Sequence, residues 1–216
     1  MKIRSRVTDV GPHRSTRGRE TKARRQEQIL AAAFEVFAAH GFEAARIDEV
    51  AERAGVAKGT VYLYFPNKEQ MFRAVVRSLI RKRIDLLVKG LPGSSEELLR
   101  GLISQMYANV VRNSKVRSIV RMLVAESGRF PQLADIYHRE VIIPGMNAVR
   151  EALKRGAAAK EFRRTKAVDF PQIVAAPGLL AMVWQLLFSD RHPLDLSAYM
   201  QAHMEFVMNS LRRTKD

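Results

Sequence analysis

Cysteine is absent from the 216 residues. That one gap excludes disulfide scaffolds, thiolate zinc sites, iron–sulfur ligation and cysteine nucleophiles, and it fits a reducing compartment, so a cytoplasmic location is expected. The five histidines never fall at the i, i+4 spacing of a helical metal pair. No metal and no cofactor is therefore expected. Residues 1–28 contain no run of seven apolar residues, which argues against a secretory signal peptide. The most lipid-like stretch, 173–188, is interrupted by Pro177, Gly178 and Gln185 and is shorter than the roughly 20 residues a membrane span needs. No alternating run of β-branched residues stands between turn signals, and no internal repeat occurs. Nor can a nucleophile or a phosphate-binding loop be assembled, so an enzyme is not expected.

What the chain does contain is helix-forming apolar sequence and positive charge. Apolar residues make up 47%, enough for a core without covalent staples. Lysine and arginine total 37 against 22 acids, a net charge of +15, which favours polyanionic partners. The charge is unevenly placed. Residues 1–25 carry nine basic groups against Asp9 and Glu20. With Gly11, Pro12 and Gly18 among them, residues 1–20 are expected to form a flexible basic arm. Arg24 and Arg25, at its junction with the first helix, are candidates for phosphate or minor-groove contact.

The apolar spacing predicts an all-α protein of about nine helices, at 21–40, 47–54, 58–65, 68–89, 96–113, 116–128, 131–155, 170–189 and 195–213. Gly41, Gly55 and Gly156 are expected to end helices, and Pro144 to kink one. Asn67 with Gln70 resembles a capping box, and Leu91–Ser95 a linker. The domains expected are the arm (1–20), a helix-turn-helix unit (21–67), a connecting helix and linker (68–92), and a C-terminal helical domain (93–216).

Residues 47–54 and 58–65 are joined by Gly55-Val56-Ala57, a three-residue turn with a glycine, as a helix-turn-helix requires. Val50, Ala51, Val61 and Phe65 supply the packing. Lys58, Thr60, Tyr62 and Tyr64 are left for the outer face: a cation, a hydroxyl and two phenols, which suit phosphates and base edges.

The run Ile29-Leu30-Ala31-Ala32-Ala33-Phe34-Glu35-Val36-Phe37, then Gly41-Phe42, then Val50 through Glu69, which includes Lys58-Gly59-Thr60-Val61-Tyr62-Leu63-Tyr64-Phe65, resembles the DNA-binding domain of the TetR/AcrR (tetracycline-repressor-like) regulators. The resemblance is dense over about 50 residues and weak beyond them. It implies that Lys58 and Tyr62 face the major groove, while Thr60, Tyr64 and Lys68 hold phosphates. Two positions depart from the family pattern. Ala45-Arg46 stands where a threonine is usual, so Arg46 is expected to act by charge, and Ala57 stands where serine is common.

The resemblance also implies a palindromic double-stranded DNA operator, a homodimer, and a C-terminal pocket for a small-molecule inducer that releases a repressor. For the dimer, the last two helices are expected to pair with their copies, with Met200, His203, Met204, Val207 and Leu211 on one stripe. Pocket candidates are Met106, Tyr107, Met122, Glu126, Phe130, Tyr137, His138, Met146 and Trp184, with Glu126 a counter-charge for a polar ligand. The charge alone also suits a non-specific nucleic-acid-packaging protein, or attachment of the arm to an anionic membrane surface. The resemblance favours the regulator and no membrane.

Overall fold

The protein is described by a computed structural model over residues 13–81 and 93–213. Helix α1 spans His13–Ala44, α2 Ile47–Arg53, α3 Lys58–Tyr64 and α4 Lys68–Val76. Then come α5 (Ser95–Met106), α6 (Ser114–Glu126), α7 (Pro131–Tyr137), α8 (Ile143–Ala158), α9 (Gln172–Leu187) and α10 (Leu196–Leu211). Three π-helical turns continue these rods: Arg77–Arg81 after α4, Tyr107–Val111 after α5, and His138–Ile142 between α7 and α8. Counting each turn with its rod gives nine helical rods among the described residues, and no strand.

Residues 13–20, expected in the arm, already belong to α1. The remainder of the arm, and the stretch 82–92 with the end of the fourth expected helix and Leu91-Pro92, lie outside the described residues. At Asn67 the expected cap is present, its side chain accepting from Gln70 N–H at 2.8 Å. A full capping box stands at Ser94, which the linker reading had passed over. Ser94 Oγ accepts from Glu97 N–H at 3.1 Å and Glu97 returns a bond to Ser94 N–H at 3.0 Å.

One expectation about helix breakers is corrected, that for Gly156. Pro144 sits in the first turn of α8, and the π-helical turn before it absorbs the bond that proline cannot make. Gly156 does not end its helix, which runs on to Ala158. A Cβ there would overlap the Phe162 ring, so glycine permits a close approach instead.

Two apolar cores form, and they do not divide at the linker. The first gathers α1–α4 with Ile119 and Met122 of α6, Leu133 and Ile136 of α7, and Val141. The second gathers α5, α8, α9 and α10. On α10, His203, Val207 and Leu211 are buried in the second core of their own chain, so the stripe expected to face a partner faces inward. Its apolar spacing was right, but spacing alone does not say which neighbour a face meets.

His203 is 4% exposed and ties three elements. Its Nε2 donates to the Val174 carbonyl of α9 at 2.8 Å, which fixes the proton there. Nδ1 then accepts from the Tyr107 hydroxyl at 3.1 Å, with the Tyr199 ring also beside Tyr107. Burial lowers the histidine pKa and raises that of Tyr107, keeping both neutral. With the folded value below the unfolded one of about 6.5, this stability is full above that pH and lost as pH falls. Urea unfolding at pH 7 and pH 5 should show a shallower loss in His203→Gln than in the parent. The difference in slope should approach, at most, about 1.4 kcal/mol per pH unit; parallel slopes would remove His203 as the source.

Candidate nucleic-acid interface

The short helix α3 is held by one face. Val61 and Phe65 are buried against α1, α2 and α4. Gly55, at φ 63°, lets the chain turn between α2 and α3, and Val56 N–H closes the turn on the Ala51 carbonyl at 3.0 Å. Neither α2 nor α3 has a side-chain N-cap, because Arg46 and Ala57 occupy the cap positions. Seven residues without a cap do not persist alone, so packing holds α3 in place.

The opposite face is open. Tyr62 is 44% exposed and Leu63 is 85% exposed, while Thr60 and Tyr64 are half-buried at the flanks. Leu63 was absent from the residues singled out by sequence. The signal was available: two residues beyond buried Val61 is about 200° around a helix. Lys58 Nζ lies 2.8 Å from Asp48 Oδ1 of α2, which raises the lysine pKa and lowers that of Asp48. Asp48 therefore orients Lys58 and competes with any phosphate for it. Arg46 is exposed and 3.9 Å from the same carboxylate. Arg24 is exposed and Arg25 half-buried on α1.

Lys68 has a structural task. Its ammonium donates to the Glu43 and Ala45 carbonyls at 2.8 and 3.2 Å and lies 4.9 Å from the centre of the Phe42 ring. It therefore ties the start of α4 to the α1–α2 turn, and only its remaining N–H is left for a phosphate.

The nine pocket candidates are spread over both cores and the surface. Met122, Phe130 and Tyr137 pack in or against the first core, and burial pushes the Tyr137 phenol up to about 12. Tyr107 lies in the second core, and Met106 packs against it, under Gly178. Trp184 donates to the His192 carbonyl at 2.6 Å, Met146 is half-buried, and His138 is exposed. Glu126 is not a free counter-charge. Its two oxygens accept from the backbone N–H groups of Phe42 and Glu43 at 2.9 and 3.0 Å. A separate open cleft of about 300 Å³, between α5 and α10, is lined by Arg100, Gln201, Met204, Glu205, Met208, Asn209 and Arg212, none of them a candidate. Among the described residues no helix is long and apolar enough to cross a membrane, and no three acidic or histidine side chains cluster as a metal site would need.

A protruding α3 on a helix-turn-helix frame, joined to a larger helical bundle, defines a DNA-binding module carried on a second functional half. Residues 29–75 match the family of bacterial regulatory proteins, tetR family, and residues 97–189 match the C-terminal domain of AefR-like transcriptional repressors. The chain belongs to the tetR family, whose members are helix-turn-helix transcriptional regulators. The transcriptional activator FasR of Mycolicibacterium smegmatis is 42% identical over 66 residues, 31% of this chain and 28% of that protein. The fatty acid metabolism regulator protein of Bacillus subtilis is 28% identical over 102 residues, 46% of this chain and 53% of that protein. The match thus spans about half or less of these curated relatives. Among solved structures, the regulator FadR from Bacillus subtilis in complex with stearoyl-CoA has a TM-score of 0.67 at 21% identity, covering 86% of this chain and 99% of that one. A regulator from Saccharomonospora viridis in complex with choline gives 0.70 at 17% identity, covering 88% and 98%.

Asp48→Asn frees Lys58 from its competitor. The variant should bind random and specific DNA more tightly, and its plot of log affinity against log salt should steepen by about 0.9. Fluorescence anisotropy over a salt series measures this; an unchanged slope would mean Lys58 meets no phosphate.

Proposed function

We propose that this protein is a homodimeric repressor that reads a partly palindromic operator through α3 and leaves it when a small molecule binds the C-terminal half. The observation that carries the DNA reading is the face of α3, where Tyr62 and Leu63 stand out beside Lys58 although Val61 and Phe65 are buried. Large exposed apolar and phenolic groups on a short helix suit thymine methyls and base edges in the major groove. The repressor reading draws on the C-terminal family match.

A second observation supports the homodimer. On α9, Ile173, Ala176, Leu180, Val183 and Leu187 are exposed at alternating steps of three and four residues. On α10, Phe206 is 71% exposed. Such a stripe costs free energy in water and fits a copy of itself across a two-fold axis. Two reading helices would then address half-sites roughly 34–36 Å apart or a multiple of that. The effector acts by binding the DNA-competent and released states with different affinity.

Selection of genomic fragments by the purified protein at about physiological salt is expected to recover a palindrome. Tyr62→Ala should lose it while shifting stability by no more than about 0.5 kcal/mol. Recovery of all fragments alike would instead support a packaging protein. Leu180→Asp should convert the dimer to monomer in sedimentation velocity and weaken operator binding; an unaltered dimer would place the interface on another face.

A further inference from the structure

Glu126 is the last residue of α6, and it reaches out of its own half of the chain. Gly41 adopts φ 78°, which turns the amides of Phe42 and Glu43 outward at the end of α1. One carboxylate oxygen of Glu126 takes each amide, at 2.9 and 3.0 Å. A Cβ at Gly41 would overlap that carboxylate, so glycine is required both by the backbone and by the clamp. The partners lie 84 and 83 residues apart in sequence. This is a contact between halves, not a local cap.

The same turn is held at three further points. Arg129, just beyond α6, pairs with the Glu43 side chain. The Phe130 ring meets Phe42 edge-on, with centroids 5.6 Å apart. On the far side, Lys68 binds the Glu43 and Ala45 carbonyls. The turn leads directly into α2, which carries Asp48 and frames α3. Two charge-assisted bonds from one planar carboxylate fix direction as well as distance, so they are lost when the end of α6 shifts or rotates.

We infer that Glu126 is a positioning residue, through which the C-terminal end of α6 sets the orientation of the reading helix. The inference rests on the DNA-binding reading above. It assigns the state in which both amides are held to the operator-competent form. Displacement of α6 withdraws the carboxylate and lets the α1–α2 turn, and with it α3, change its angle.

Glu126→Gln tests this with little change in size. The carboxamide keeps one acceptor oxygen and turns an N–H₂ toward the second amide. Because the chain has no cysteine, Glu52→Cys on the exposed side of α2 gives a single spin label on each head of the full-length dimer. With Glu126→Gln, the distance distribution between heads should broaden, and exchange of the Phe42 and Glu43 amides should quicken about tenfold. Affinity for the selected operator should fall about tenfold, with affinity for random DNA unchanged. A narrow, parental distance distribution with parental operator affinity would overturn the inference. So would an equal loss on operator and random DNA together with a lowered unfolding temperature, the mark of a cap that serves stability alone. If the parent selects no operator, the DNA-binding reading itself fails, and this separates the two failures.

Discussion

The burial of Phe42 is the constraint on which the amino-terminal half depends. The residue follows Gly41 in a turn, yet it is 2% exposed. Its ring lies 5.8 Å from Phe37 of α1, 6.0 Å from Phe72 of α4 and 5.6 Å from Phe130 before α7. Four aromatic rings, two of them flanking the Gly41 kink of α1 and the others from α4 and the segment before α7, thus share one cluster, each contributing its own apolar burial and the pairs adding about 0.5–1.5 kcal/mol apiece. Since protein interiors are close-packed, the turn cannot move unless its neighbours do. The reading helix has no cap of its own, so its placement follows from this cluster through α2 and α4. The DNA-binding half is in this sense an extension of α6 and α7, not an independent head.

Helix number and type were legible because they depend on local periodicity, and the all-α reading needed nothing else. The outward face of α3 was nearly legible too. Buried Val61 and Phe65 set its phase, and only Leu63, exposed on the same face, was not singled out. Four other features were not legible, for physical reasons. The inward stripe of α10, the amide clamp of Glu126 and the task of Lys68 depend on a partner far along the chain, and Gly156 under Phe162 depends on how the chain folds back after α8. An acid on an apolar helix face suggests a ligand counter-charge and an interhelical clamp equally well. Only the position of Gly41 decides between them, and the sequence does not bring residues 41 and 126 together.

A second carboxylate repeats the arrangement at the connecting helix. Glu140 is buried in the π-helical turn after α7, with Arg73 Nε at 2.7 Å and Arg77 Nε at 3.4 Å. A buried acid needs such partners, and removing them would leave it uncompensated. Arg73 lies on α4 and Arg77 opens the turn that continues it. The π-helical turn widens the helix at the place where Glu140 must reach α4, which suits the tendency of such turns to occur where a side chain has to be re-aimed. The C-terminal half therefore grips the DNA-binding half at two points, once at the α1–α2 turn and once at α4.

Both grips have to be reached from the second core if an effector bound there is to act on DNA. Val120, midway along α6, packs against both cores. From Val120 to Glu126 is six residues, about 9 Å of helix. Over so short a length the helix moves as a rigid body, so a displacement imposed at Val120 appears at Glu126 almost undiminished. Arg117 strengthens the inner end of this lever, donating to the Val111 carbonyl of the second π-helical turn at 2.9 Å. That turn begins with Tyr107, whose hydroxyl is fixed by His203. A continuous path of packed and hydrogen-bonded groups thus runs from α9 and α10 through Tyr107 and α6 to the turn before α2. Such a path supplies contact, not energy. Under the proposed release from the operator, the energy that moves the reading helices would come from an effector that binds better when the Glu126 clamp is open than when it is closed.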